Sequence, residues 1–159
     1  MQILVRCQAF TSEAQVFTAM HKDPQIPEET TMSYYLARTL PLDFDEAVNR
    51  VTAALKEKGF GVLTDIDVQA TLKTKLGVDT PKYRILGACN PGFAHAALKL
   101  ENKLGVLLPC NVIVREETPR QTEIAAIDPV SSMERVGNPK LVAVAEEVRA
   151  RLQSAIDSL

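Results

Sequence analysis

Two Cys-Asn pairs carry the most reactive atoms of this sequence. Cys89-Asn90 closes the apolar run RILGAC and stands directly before Pro91, and Cys110-Asn111 lies inside VLLPCNVIV, residues 106–114. A thiol one residue before a helix N-cap sits near unpaired amide donors and the positive end of the helix dipole. That placement lowers a thiol pKa and suits a nucleophile or a metal ligand. A free cysteine is equally at home as a small buried hydrophobe. Strand alternation puts Cys89 with Tyr83, Ile85 and Gly87, on the face expected to be core, and Cys110 with Leu108, Val112 and Val114. Pro109 cannot donate to a ladder, and a proline inside a strand belongs at an edge or a bulge, where a side chain is often re-aimed toward a site. A disulfide needs Cα atoms within roughly 7 Å, which spacing along the chain does not decide. The spacing fits no zinc finger or ribbon, so Cys89 and Cys110 are weak metal candidates. The tentative binding set is Cys89, Asn90, Cys110 and Asn111, and no residue is assigned a catalytic role.

Other chemistry-bearing residues have plainer uses. His95 would be a base or third ligand for Cys89, but helical geometry puts Phe93, Ala94, Ala97, Leu98 and Leu104 on one face and His95 opposite, with Lys99 and Asn102. Without it an activated thiol lacks a base, since His21 is far away in the sequence. Asp65, Asp67 and Asp128 fall at expected strand ends, where carboxylates can bind a cation or transfer protons. Asp67 is also placed to cap a helix, and Asp128, before Pro129, to form a turn. Lys73, Lys75, Lys82 and Arg84 would make a small anion pocket or simply pair with nearby aspartates. No Gly-rich phosphate loop, HExxH or nucleophile elbow is present, and no cofactor is expected.

Composition narrows the class. A chain of 159 residues with 46% hydrophobic and 24% charged residues is that of an ordinary globular protein. A net charge of −2 makes nucleic acid an unlikely partner, because phosphate binding needs a clustered basic face. No apolar stretch is long enough to span a bilayer. The first ten residues, MQILVRCQAF, lack the pattern of a signal peptide, and three cysteines form no disulfide framework. A cytoplasmic location is expected.

The elements that must position the thiols follow from periodicity and punctuation. Residues 1–31 have no sustained period and end in a polar, Pro-bearing run. They read as an N-terminal extension, outside the natural protein if Met32 is the translation start, and 32–159 reads as a single domain. SYYLARTL (33–40) reads as a strand. Asp43 and Glu46 form a capping-box pattern ahead of a helix with Phe44, Val48, Val51 and Leu55 on one stripe and Gly59 at its end. FGVLTDID is a second strand, and Asp67 caps a short helix carrying Val68, Leu72 and Leu76. KYRILGACN is a third strand, and Asn90-Pro91 starts the next helix. VLLPCNVIVRE and TEIAAID are further strands, and PVSSMERVG is a loop. Asn138-Pro139 launches a final helix with Leu141, Ala145, Val148, Leu152, Ala155, Ile156 and Leu159 on one stripe. The order is β-α-β-(α)-β-α-β-β-α, an α+β pattern built on one mostly antiparallel five-stranded sheet.

The motifs GFGVLTDID, TLKTKLG, ILGACNP and LLPCNV, together with AIDP and GNP downstream, resemble a bacterial and archaeal family called domain of unknown function 302, from about Met32 to Leu159. The resemblance implies a fold similar to the TATA-binding-protein-like class, a curved antiparallel sheet gripped by helices, and a tendency to homodimerise. It implies no activity. The third and fourth strands are apolar on both faces, so both faces need a cover: helices, a partner subunit or an apolar ligand. The expected function is a non-enzymatic homodimeric module holding a small ligand between sheet and helices, in a cavity of a few hundred Å³ lined from those strands. The alternative is a thiol protein, with Cys89 and Cys110 as a redox couple, sulfur carrier or soft-metal site and a depressed Cys89 pKa.

Overall fold

The structure, a computed structural model, describes residues 33–159. The expected extension, with Cys7 and His21, lies outside the described residues. Ten elements follow in order: β1 (Tyr35–Leu40), α1 (Phe44–Glu57), β2 (Gly61–Asp67), α2 (Val68–Leu76), β3 (Tyr83–Cys89), α3 (Pro91–Leu100), β4 (Cys110–Thr118), β5 (Gln121–Ile127), α4 (Pro129–Glu134) and α5 (Val142–Asp157). The strands form one five-stranded sheet, ordered β1-β5-β4-β3-β2. Every neighbouring pair is antiparallel. The chain is α+β, as its pattern of periods indicates.

Because neighbours alternate in direction, β1 and β2 run the same way at opposite edges. Parallel strands cannot be joined by a tight turn and need a crossover. The 14-residue α1 supplies it, since about 21 Å of helix spans the roughly 19 Å across four strand gaps. It packs against β2, β4 and β5. Its buried residues are Phe44, Ala47, Val51, Ala54 and Leu55. The seam runs one position beside the expected stripe, with small alanines against the sheet and Val48 at its margin. The Asp43 side chain makes no cap bond, so the capping box does not form. The C-terminal end closes instead, with Gly59 at φ +84° and the amides of Gly59 and Phe60 returned to the carbonyls of Lys56 and Leu55.

Helix α5 lies beside α1 on the same side of the sheet. All seven residues of its expected stripe, Leu141 to Leu159, are buried. Together the two helices seal Leu36, Leu40, Leu86, Ala88, Val112, Val114, Ile124 and Ala126 into one core. Thr122, fully buried there, donates its hydroxyl to the Leu42 carbonyl at 2.9 Å and so ties β5 to the β1–α1 turn.

Three local expectations change. PVSSMERVG is not a loop. Asp128 accepts from the Val130 amide at 2.9 Å and Pro129 takes the first helical position, so the segment begins as α4. Its other carboxylate oxygen holds Arg149 of α5 at 2.8 Å. The fourth strand begins at Cys110, not Val106. Residues Leu104–Leu107 form a 3-10 turn, and Pro109 has no N–H for the ladder. Pro109 therefore stands before a central strand, not at an edge or bulge; the register shifts fall in β2 and at the far end of β4. Finally, α2 starts on its Asp67 cap (Ala70 amide, 2.8 Å) but buries no residue, and Leu76 is exposed.

Gly87 is the point of closest approach in the sheet. A Cβ there would meet the Thr64 hydroxyl and would stand 2.6 Å from Cγ of Pro109. Replacing it with alanine must displace a proline ring and the Thr64 hydroxyl, a form of overpacking that costs about 1–3 kcal/mol. Chemical denaturation of Gly87→Ala is expected to show a loss in that range with an unchanged m-value.

Candidate functional site

The third strand ends where the third helix begins, and this junction holds the first Cys-Asn pair. Asn90 is the N-cap of α3: its Oδ1 accepts from the amides of Gly92 (3.1 Å) and Phe93 (3.3 Å). Its Nδ2 donates to the Gly59 carbonyl at 3.0 Å, which fastens the end of α1 to the start of α3. Both polar atoms of the side chain thus bond within the fold, with one Nδ2 hydrogen left over.

Register places the two thiols together. Ala88 pairs with Cys110 across β3 and β4, so Cys89 stands one residue along from that rung. Both thiols are free, Cys110 buried and Cys89 half-buried. Both line a crevice at the seam between the sheet and α3, α4 and α5. Phe93, Ala94 and Ala97 of α3 form one wall, Val144 and Val148 of α5 the other, and Met133 of α4 closes the end. Outside, Arg151 of α5 lies over the Phe93 ring, 5.1 Å from its centre, and is steadied by Glu147 at 2.9 Å.

The crevice encloses about 20 Å³, room for roughly one water. This replaces the ligand cavity of a few hundred Å³ expected beside the third and fourth strands. The core there closes because Phe93 of α3 and Val144 and Val148 of α5 pack against the sheet-side cluster. Hollows of organic-ligand size, such as one of about 370 Å³ along Val130, Gly137 and Leu141, belong to the helical side and are not lined by β3 or β4.

Burial also reverses the expected thiol electrostatics. Desolvation pushes Cys110 up to about 11, and the neighbouring Cys89 adds to the rise. Desolvation pushes Cys89 upward too. The helix terminus does not activate Cys89, because Asn90 already satisfies the first amides. His95 is exposed on the outer side of α3 and does not line the crevice.

The expected binding set therefore divides. Cys89, Asn90 and Cys110 meet at the crevice, whereas Asn111 points to the opposite face of the sheet, paired with Gly87. Cys89, Tyr83, Ile85 and Gly87 do not share a core face. The core side of β3 is Leu86 and Ala88, and Cys89 reaches the crevice because the strand ends there. Asp65, Asp67 and Asp128 do not converge: Asp65 holds Arg84 at 2.6 Å, Asp67 caps α2, and Asp128 caps α4. Lys73 and Lys82 pair with Asp79 and Asp45, so no anion pocket forms from them. Among the described residues, no three of His, Cys, Asp and Glu come together as a metal site. Phe60, Met133 and Val144 line the crevice without belonging to the expected set, and Met133 lies in PVSSMERVG, whose sequence shows no helical period.

Two outcomes follow for the thiols. Residue-resolved alkylation of the native protein is expected to leave Cys110 unmodified at neutral pH, with labelling appearing only on unfolding. The ordinary thiol value is 9.0 and that of folded Cys110 about 11. Below pH 9 both folded and unfolded chains keep the proton; above it the unfolded chain ionises first. Stability measured by denaturant titration is therefore expected to fall as pH rises from about 9 toward 11, and Cys110→Ala is expected to flatten that slope.

Comparison with known proteins places the fold. A crystal structure of an uncharacterized conserved DUF302 protein from Bacillus stearothermophilus is similar over 80% of this chain and 98% of its own. It superposes with a TM-score of 0.74 at 29% identity. No curated protein matches. Residues 36–159, which hold all five strands but for the first residue of β1 and every crevice residue, match the family model described as domain of unknown function DUF302, and the chain belongs to that family.

Proposed function

We propose that this chain is a non-enzymatic binding module that works in the cytoplasm as a homodimer, joined through the open face of its sheet. The observation that carries the reading is one rung of side chains. Ala37, Ala125, Ile113, Ile85 and Ile66 are successive cross-strand partners from one edge of the sheet to the other. They lie opposite the helix-covered core and belong to neither buried cluster. Ile66 is 48% exposed. An antiparallel sheet with one wet face should be polar there, and a row of isoleucines and alanines across five strands is not.

The rest of the face suits self-association. Beside the rung Arg115 bridges Glu117 and Glu123, each at 3.0 Å. An apolar centre with a charged margin of both signs can meet its own copy about a two-fold axis. Five strands at roughly 4.8 Å and six residues at roughly 3.3 Å make a face of about 480 Å². Two such faces reach the order of 1,000 Å² that a specific interface needs only if most of each is covered. That favours a second sheet over a short peptide.

Several facts support the remainder. Both crevice thiols are held protonated, and among the described residues no histidine lines the crevice to activate them. Free thiols persist where the compartment is reducing. Among the described residues no helix is long and apolar enough to cross a membrane. An organic ligand in the sheet–helix crevice is not favoured, given its volume.

Sedimentation velocity with Ile113→Lys checks the interface. Wild-type protein is expected to sediment as a dimer at micromolar concentration and the variant as a folded monomer, with unchanged far-ultraviolet circular dichroism. A wild-type monomer, or a variant that remains dimeric, would overturn the reading.

A further inference from the structure

We propose that the crevice between β3, β4 and the helices is a binding site for one soft monovalent cation of the Cu(I) type, held by the sulfurs of Cys89, Cys110 and Met133. It lies on the helix-covered side of the sheet and does not depend on the dimer interface.

Three sulfur-bearing residues from three separate elements line one space: the end of β3, the start of β4 and helix α4. Cys110 and Met133 are each 6% exposed. Size selects the guest, since about 20 Å³ excludes an organic ligand and admits an ion. Polarity selects against water, which needs two to four polar partners when buried. Asn90, the polar amide at the crevice, is spent on Gly92, Phe93 and Gly59, and the other walls are aromatic and aliphatic. What remains to coordinate a guest is sulfur. Soft thiolate and thioether ligands together suit Cu(I), whereas a structural zinc takes four protein ligands and this crevice offers three sulfurs.

Binding balances without a redox step. Each thiol gives its proton to solvent, the cation takes two thiolates and one thioether, and the complex carries one net negative charge. Arg151, whose guanidinium lies 5.1 Å from the centre of the Phe93 ring, supplies a positive charge beyond that wall. Raised thiol pKa values make affinity rise with pH, because the protons must leave as the metal enters.

The experiment is an anaerobic titration of the full reduced chain with Cu(I) delivered by a chromogenic chelator, repeated with Ag(I) as a redox-inert stand-in. One equivalent per chain is expected, with a thiolate-to-metal charge-transfer band in the ultraviolet. Cys7→Ser is expected to change neither, and Ile113→Lys to keep the site whatever its oligomeric state. Cys89→Ser and Cys110→Ser should each abolish the band. Met133→Leu should weaken binding by at least the roughly tenfold that loss of a secondary metal contact costs, with the circular dichroism spectrum intact. Should Cys110→Ser fail to fold, Cys89→Ser and Met133→Leu decide alone. Binding that disappears with Cys7→Ser, that ignores Met133→Leu, or that Zn(II) matches in affinity would overturn the assignment.

Discussion

The parallel placement of β1 and β2 at opposite edges of an otherwise antiparallel sheet is the constraint from which the rest follows. The chain must cross the whole sheet between its first two strands, and it does so with one amphipathic helix on one side. Once α1 lies there, the remaining long helix finds its apolar stripe a partner only beside it, against the same face. Among the described residues, the side chains of the opposite rung belong to neither buried cluster.

Two distinct environments result. On the covered side, small residues allow close contact: Ala47 and Ala54 of α1, Ala97 of α3 and Ala155 of α5 are all buried. Where the edges of α3, α4 and α5 meet the ends of β3 and β4, this packing leaves a gap of one atom's scale instead of a pocket. On the uncovered side the same strands present a flat apolar rung. Dispersion and hydrophobic contact among the described residues stabilise the first side; the second leaves Ile66 48% exposed.

Polar groups reinforce this division more than they suggest catalysis. Asn90 joins three elements, Thr122 ties a strand to a turn, and Asp128 both starts α4 and anchors Arg149. Their lone pairs and protons are consumed locally, as burial demands. The sulfurs alone at the crevice lack such commitments. Burial holds the two thiols protonated at neutral pH.

Local chemistry was legible in the sequence wherever a residue acts on its own neighbours. Asn90-Pro91 and Asp67 start their helices as read, Asn138-Pro139 starts a 3-10 turn that leads into α5, and the α5 stripe is buried residue for residue. By contrast, the Asp43–Glu46 capping box does not form and the α2 stripe stays unburied. The Cys-Asn junctions also located the crevice. What only the tertiary structure decided depends on distant chain segments. Cys89 lies near Cys110 because β3 and β4 are neighbours in one register, and Met133 joins them because α4 folds back over their ends. Asn111 is separated from its own neighbour Cys110 by the pleat, which sends successive side chains to opposite faces. Which face of β3 and β4 is core could not be read from strands that are apolar on both, since that choice belongs to the crossover helix. The crevice volume likewise depends on how closely side chains from three helices approach the sheet, a sum of packing contacts that no single segment contains.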